Sequence, residues 1–95
     1  MKRTFVNQVR HDEKVLELAR RYVSMGYRVF ADARGWEVPQ VINGFRPDLL
    51  LIKDNSGMII EVETSDSFSH DHLQIQAFDK FARFVRNVKF KVILI

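Results

Sequence analysis

The chain has 95 residues, of which 46% are hydrophobic and 28% charged, and this composition is typical of one small globular domain spanning residues 1–95. It contains no cysteine, which excludes disulfides, thiol catalysis and cysteine-ligated zinc or iron–sulfur sites. A net charge of +3 is too small to indicate nucleic-acid binding by itself. No apolar run is long enough for a membrane span and residues 1–4 lack a signal-peptide core, so we expect no membrane association and a cytoplasmic location.

The first predicted element is an amphipathic helix over residues 12–26. Val15, Leu18 and Ala19 recur at helical spacing and form its buried stripe. Asp12 is the predicted N-cap and Gly26 the residue that ends the helix. The preceding segment, residues 4–10, also carries apolar residues at helical spacing and leaves the start of the helix open.

A first strand is predicted at residues 27–33, where apolar residues alternate with polar ones. A loop follows over residues 34–46, and it contains Trp36 and several other large apolar side chains. The preferred interpretation is that these side chains cover the core. The alternative is a contact surface for a partner or substrate.

Two apolar strands are predicted at residues 47–54 and 58–64, joined by a tight turn. Asp48, Glu61 and Glu63 lie inside these strands, although carboxylates are seldom buried without compensation. The alternation of side chains along a strand puts Glu61 and Glu63 on one face. A divalent cation with oxygen ligands would compensate such a cluster, so the pattern predicts a metal site.

Whether Asp48 joins that face depends on the turn. A two-residue turn at residues 55–56 places Asp48 opposite Glu63, on the face of Glu61. A three-residue turn at residues 55–57, which the glycine at its end favours, places Asp48 on the other face. Because the metal site requires convergence, we predict the shorter turn or a bulge in the strand of Asp48.

A polar loop then leads to a second helix at residues 71–87 and a last strand at residues 89–95. Asp71 and Gln74 have the spacing of a capping box, and Phe78 belongs to the buried stripe. The tight turn makes strands two and three antiparallel, and the helical crossover makes the last strand parallel to the third. The predicted fold is α/β, an αβββαβ core with a four-stranded mixed sheet flanked by helices.

This order of elements, with Pro47-Asp48 followed by Glu61-Val62-Glu63, resembles the PD-(D/E)xK nuclease superfamily. The resemblance is closest to the small archaeal Holliday-junction-resolvase-like and VRR-type members, and it covers about residues 13–95. It implies a restriction-endonuclease-like fold and the hydrolysis of phosphodiester bonds in DNA with Mg²⁺ or Mn²⁺.

The resemblance also implies roles for individual residues. Asp48 and Glu61 would be metal ligands, with the Val62 carbonyl as a third oxygen ligand. Glu13 matches the helical glutamate that some members use as an outer ligand. Gln74 matches the glutamine motif on the helix after the catalytic strand, and is counted among the catalytic residues.

Glu63 is a departure, because the superfamily usually has lysine at this position. Some restriction endonucleases are similar in using glutamate there. Glu63 could act as a general base or ligate a second ion, and is kept as a catalytic candidate. Lys53 and Lys80 are candidates for a relocated lysine, although a solvated surface position is the preferred interpretation of each.

Four basic residues are predicted to contact DNA phosphates around the pocket, without reading sequence: Arg34, Arg46, Lys80 and Arg83. Surface or capping roles are preferred for the three histidines His11, His70 and His72, although His70 and His72 lie close enough to the acidic strand to be minor candidates.

The first functional hypothesis is a magnesium-dependent DNA endonuclease, with structure specificity as one form of it, acting as a homodimer. The alternative is an inactive nuclease-fold module that binds nucleic acid or a protein partner, which the absence of the lysine supports. A third option is a catalytic subunit that needs another chain.

Overall fold

The computed structural model of the protein describes residues 3–95, and Met1 and Lys2 lie outside it. One sheet of four strands is combined with two long helices and one short helix. In chain order the elements are α1 (Phe5–Ser24), β1 (Arg28–Ala31), β2 (Leu49–Lys53), β3 (Ser56–Glu63), α2 (Ser65–Phe68), α3 (His72–Phe84) and β4 (Val88–Leu94). No helix within residues 3–95 is long and apolar enough to cross a membrane.

The strands lie in the order β1-β2-β3-β4 across the sheet. β1 and β3 are each antiparallel to β2, whereas β4 is parallel to β3. This mixed sheet with a parallel last strand confirms the predicted αβββαβ fold. The observed strands start and end one or two residues away from most predicted bounds, and α2 occupies part of the segment predicted as a polar loop.

α1 begins earlier than the first predicted helix. Thr4 is its N-cap, and the Thr4 side chain accepts a hydrogen bond from the Asn7 N–H at 3.2 Å. The prediction of Asp12 as the N-cap is therefore wrong, because Asp12 lies in the interior of the helix. The predicted end is confirmed, since Gly26 has a φ of 90° directly after the C-cap Met25.

The helices cover opposite faces of the sheet and create two apolar cores. The α1 core contains Val15, Leu18, Ala19, Val29, Ala31, Leu49, Leu51, Ile60 and Val62. The α3 core contains Ile42, Ile59 and Phe78, with Phe45, Leu50, Phe81, Val88 and Phe90 packed against it. Because Ile59 and Ile60 belong to different cores, Glu61 and Glu63 alternate onto the α3 face of β3.

The turn between β2 and β3 differs from both predicted turns. Lys53 pairs with Ser56, so the turn consists of Asp54 and Asn55. Asp54 occupies the left-handed region with a φ of 55°, a conformation that aspartate tolerates better than most residues. The ladder pairs residue by residue, so the predicted bulge is also wrong.

The register that follows decides where the acidic residues lie. Leu49 pairs with Ile60, and continuing the ladder by one residue places Asp48 directly opposite Glu61. Directly opposed residues share a face of the sheet. Asp48 and Glu61 therefore lie on the same side, although through a turn that the sequence did not indicate.

The long segment between β1 and β2 covers the core, as preferred from the sequence. Pro39 and Ile42 are buried, and Trp36 packs against the α1 core. Phe45 packs on the other side, with its ring centroid 6.5 Å from that of Phe78. Trp36, Ile42 and Phe45 are therefore structural, whereas Val38 and Val41 of the same segment are exposed.

Candidate metal centre

The carboxylates of Asp48 and Glu61 are held by backbone N–H groups of the opposite strand. The Asp48 N–H donates to Glu61 Oε1 at 2.8 Å, and the Val62 N–H donates to Asp48 Oδ2 at 2.9 Å. These bonds form where the regular ladder ends, because backbone donors are free there to bind side chains. The two acidic side chains are thereby fixed next to each other.

Gln74 closes the site from α3. It lies one helical turn before Phe78, which is completely buried, so both side chains face the sheet. Gln74 Nε2 donates to Glu61 Oε2 at 2.5 Å. Both oxygens of Glu61 thus accept hydrogen bonds. The capping box predicted for Asp71 and Gln74 is absent, since Asp71 is the N-cap of α3 without a side-chain capping bond.

Glu61 is 1% exposed, and its environment opposes ionisation. Burial raises the pKa of Glu61 to about 9, with a further contribution from the neighbouring charge of Asp48. The hydrogen bonds from Asp48 N–H and Gln74 act in the opposite direction but do not outweigh burial. A cation placed at this pair would favour the ionised form.

His11 joins the site from α1, and the sequence interpretation missed it. Its Nε2 lies 3.1 Å from Asp48 Oδ2, and its Nδ1 lies 2.9 Å from Asp12 Oδ1. The expected surface or capping role is wrong, since only 5% of His11 is exposed. The signal was present in the sequence: His11 lies four residues before Val15, on the buried stripe of a helix that begins earlier than predicted.

The charges around His11 determine its protonation. Burial, the largest single effect, lowers the pKa of His11. The negative charge of Asp48 and the nearby Asp12 carboxylate outweigh burial and raise this pKa above 6.5.

Glu13, the predicted outer ligand, is not brought to the carboxylate pair. It is exposed and lies beside Arg10, Lys14 and Glu17. Two residues correspond to about 200° around a helix, so Glu13 and His11 point in nearly opposite directions. α1 therefore presents a histidine to Asp48.

Glu63 is buried in a different environment. Its Oε2 accepts a hydrogen bond from Ser67 Oγ at 2.6 Å and lies 3.8 Å from the Arg3 guanidinium. Arg3 also donates to the Val62 carbonyl at 3.0 Å. Burial, the largest effect, raises the pKa of Glu63 to about 7, with Asp71 adding to the rise.

The candidate lysines and DNA-contacting residues are spread over the surface. Lys53 donates to the Met25 carbonyl at 3.0 Å, at the end of β2 away from Asp48. Arg34 lies on the α1 side of the sheet, whereas Lys80 and Arg83 lie on α3, across the sheet, so these three do not form one patch. Arg83 pairs with Asp79 at 2.8 Å, and Arg46 donates to the Pro39 carbonyl.

The donor atoms of Asp48 and Glu61 could supply part of the ligand set of a divalent ion. Within the part of the chain that the structure describes, no three His, Asp or Glu side chains are grouped so that they could hold an ion as they stand. Asp48 and Glu61 nevertheless provide the oxygen donors that Mg²⁺ prefers, and each carboxylate oxygen retains a lone pair after one hydrogen bond. The donors therefore fit an ion that keeps much of its water.

Comparison with known families agrees with this architecture. No curated protein and no solved structure matches the chain significantly. A family model described as AHJR-like (REase_AHJR-like) matches residues 4–94, which is nearly the whole chain. The chain therefore belongs to this restriction-endonuclease-like family.

Proposed function

We propose that this protein is a metal-dependent nuclease that hydrolyses phosphodiester bonds in DNA. Membership of a restriction-endonuclease-like family supports nuclease chemistry. The observation that best supports a bound metal ion is the pair Asp48 and Glu61. These two carboxylates come from adjacent chain segments and are joined through backbone N–H groups. Such a pair is unfavourable without a cation and suited to one.

The proposed cofactor is Mg²⁺, with Mn²⁺ as the alternative. Mg²⁺ is commonly bound by one or two carboxylates, retains several waters and takes further ligands from substrate phosphate. Two protein carboxylates are therefore sufficient, and a closed cage is not required. When bound, the ion would polarise the scissile phosphate and lower the pKa of a bound water.

The remaining residues of the site orient these ligands. Gln74 and the Asp48 N–H hold both oxygens of Glu61, and the Val62 N–H holds one oxygen of Asp48. We assign Gln74 this positioning role. The Val62 carbonyl, implied by the resemblance as a third ligand, already accepts a bond from Arg3 and has one lone pair left.

We propose a role for Glu63 other than general base or ligand of a second ion. Its side chain is completely buried and bonded to Ser67, so we propose that it does not act as the general base. Instead it holds the guanidinium of Arg3 next to β3. In this proposal Arg3 supplies a positive charge close to the strand position where the superfamily carries lysine.

DNA would be held by exposed basic side chains on both sides of the sheet. Arg34 lines a cleft of about 570 Å³ that extends to Asp12, the residue in contact with His11. Lys80 and Arg83 are exposed on α3. Because these groups are dispersed, we propose that they position the duplex through phosphates.

We further propose a homodimer, since one protomer of this size covers few base pairs. Exposed apolar side chains, including Phe84 at 78% and Leu94 at 63%, are compatible with an interface. Sedimentation velocity over a range of concentrations tests this, and a monomer at all concentrations would contradict it.

A second candidate function is a nuclease-fold module that binds nucleic acid or a partner without cutting. Two observations favour it: glutamate replaces lysine at position 63, and residues 3–95 contain no ready three-ligand group.

A cleavage assay separates the two functions. Labelled duplex, branched and single-stranded DNA would be incubated with Mg²⁺ or Mn²⁺ and with wild type, Asp48→Ala or Glu61→Ala. Glu17→Ala is the matched control, because Glu17 is an exposed carboxylate on α1. We expect metal-dependent cutting by wild type and control, and none by the other two variants. DNA binding without cutting, unaffected by these changes, would support the inactive module.

A further inference from the structure

His11 approaches Asp48 without forming a satisfactory hydrogen bond. Its Nε2 lies 3.1 Å from Asp48 Oδ2, yet this nitrogen has no partner of acceptable hydrogen-bond geometry within residues 3–95. Asp48 Oδ2 already accepts the Val62 N–H. Because 95% of His11 is buried, an unsatisfied nitrogen is destabilising and requires an explanation.

The other ring nitrogen of His11 indicates how the imidazole is oriented. Nδ1 lies 2.9 Å from Asp12 Oδ1. A carboxylate can only accept, so Nδ1 carries a proton, and in the neutral ring Nε2 carries a lone pair that no donor within residues 3–95 uses. That lone pair is available to a cation that also binds Asp48 Oδ2. Metal-bound histidines are commonly held in this way, with a carboxylate on the second nitrogen.

The distance between the two donor atoms also fits shared coordination. Neighbouring ligands of an octahedral ion with bonds of about 2.1 Å are separated by about 3 Å. We propose that His11 Nε2 and Asp48 become ligands of one ion when it binds, which gives the centre a nitrogen donor besides its carboxylates. Without the ion, no three such side chains within residues 3–95 are grouped closely enough to hold it, so binding would draw the ligands together. This inference rests on the proposed metal-dependent function and specifies the ligands and the class of metal.

A nitrogen donor changes which ions the site prefers. Carboxylate and water ligands suit Mg²⁺, whereas imidazole suits first-row transition ions. Loss of His11 should therefore weaken Mn²⁺ binding more than Mg²⁺ binding. A purely structural role for His11 would weaken both equally.

Calorimetric titration of Mn²⁺ and Mg²⁺ tests this selectivity with wild type, His11→Ala and His72→Ala. His72 is an exposed histidine at the start of α3 and provides the matched control. We expect His11→Ala to weaken Mn²⁺ binding at least about tenfold, with a smaller change for Mg²⁺, and His72→Ala to leave both unchanged. Equal losses for the two ions, or no loss, would overturn the assignment.

A spectroscopic measurement on the wild-type protein does not depend on how well any variant folds. Electron spin echo modulation of the Mn²⁺ complex of the wild type detects nitrogen coupled to the metal. We expect ¹⁴N coupling in wild type and in His72→Ala, and its loss in His11→Ala. A wild-type complex without ¹⁴N coupling would overturn the assignment.

The outcomes distinguish the inference from the proposed function. Mn²⁺ binding that is lost in Asp48→Ala but unchanged in His11→Ala would overturn the role of His11 and leave the proposed function intact. A wild-type protein that binds neither ion would refute both.

Discussion

Replacement of Glu61 by glutamine should change how the stability of the metal-free protein depends on pH. The pKa of Glu61 is about 9 in the fold, against an ordinary value of 4.5. Between these values the folded protein holds a proton that the unfolded chain has released. The contribution of Glu61 to the free energy of unfolding is therefore fully present below about pH 4.5 and is lost progressively as the pH rises towards 9. Glutamine removes this dependence.

The magnitude follows from the size of the pH interval. Each pH unit between the two pKa values lowers the free energy of unfolding by about 1.4 kcal/mol for one such group. From pH 5.5 to pH 7.5 Glu61 alone accounts for a loss of about 3 kcal/mol. Small domains have a total stability of roughly 5–15 kcal/mol, so the effect is large. Glu63, with a pKa of about 7, adds to the loss below that pH in both proteins.

Urea unfolding followed by circular dichroism measures this directly. Wild type and Glu61→Gln would be compared at pH 5.5 and 7.5 in the presence of a chelator. We expect the free energy of unfolding of Glu61→Gln, relative to that of wild type, to be about 3 kcal/mol higher at pH 7.5 than at pH 5.5. Any fixed difference from altered bonding to Gln74 cancels, because only the change with pH is compared. Glu13→Gln, which replaces an exposed carboxylate on α1, is the control and should follow wild type.

Parallel pH profiles for wild type and Glu61→Gln would contradict this prediction, because they would mean that Glu61 titrates normally in the fold. A variant that loses stability relative to wild type at the higher pH would contradict it more strongly.

Three further predictions concern the rest of the fold. Phe78→Ala removes a completely buried ring and should lower the free energy of unfolding by about 3–5 kcal/mol, measured by urea titration. The control Phe84→Ala changes an exposed ring and should alter this free energy by less than about 0.5 kcal/mol. Similar losses in the two variants would refute the proposed core. Arg3→Met removes the cation beside Glu63 and should lower the free energy of unfolding by up to about 3 kcal/mol at pH 8. The loss should be smaller at pH 5.5, because Glu63 is protonated there. A loss that does not change with pH would argue against the ion pair. Gly26→Ala forces a side chain into a φ of 90° and should lower the melting temperature by an amount equivalent to about 1–2 kcal/mol; an unchanged melting temperature would contradict the assigned helix end.

The fold could be predicted because its elements have regular periods. The stripe through Val15 and Leu18 identifies α1, and the apolar residues on both faces of β2 identify a central strand. The tight turn and the helical crossover then fix the strand directions. These features depend on local sequence and on general rules of chain connection.

The register of β2 and β3 could not be predicted in the same way. Gly57 suggested a turn centred later in the chain, but the observed turn uses Asp54 in the left-handed conformation. A shift of register changes every opposed pair, so the partner of Asp48 was identified incorrectly. The alternation that puts Glu61 on the α3 face did not depend on this choice.

The surroundings of the site depend on tertiary contacts that sequence spacing does not determine. The sequence does not assign His11 to the site, because it predicts Asp12 as the N-cap and leaves open whether residues 4–10 belong to the helix. Glu63 was grouped with Glu61 from alternation alone, whereas α2 brings Ser67, and the chain before α1 brings Arg3, to Glu63. Arg3 comes from the distant start of the chain, whereas Ser67 is only four residues from Glu63 and is turned back towards it by α2.

Calorimetric titration of Mg²⁺ and Mn²⁺ into wild type and Asp48→Asn tests most directly whether carboxylates from adjacent strands hold a cation. Asparagine keeps the shape of the side chain and removes its charge, and Glu13→Gln controls for the loss of a carboxylate elsewhere. We predict that wild type and Glu13→Gln bind at least one of the two ions and that Asp48→Asn binds neither. Binding that is equally strong in Asp48→Asn, or absent from the wild type, would contradict the proposed metal centre.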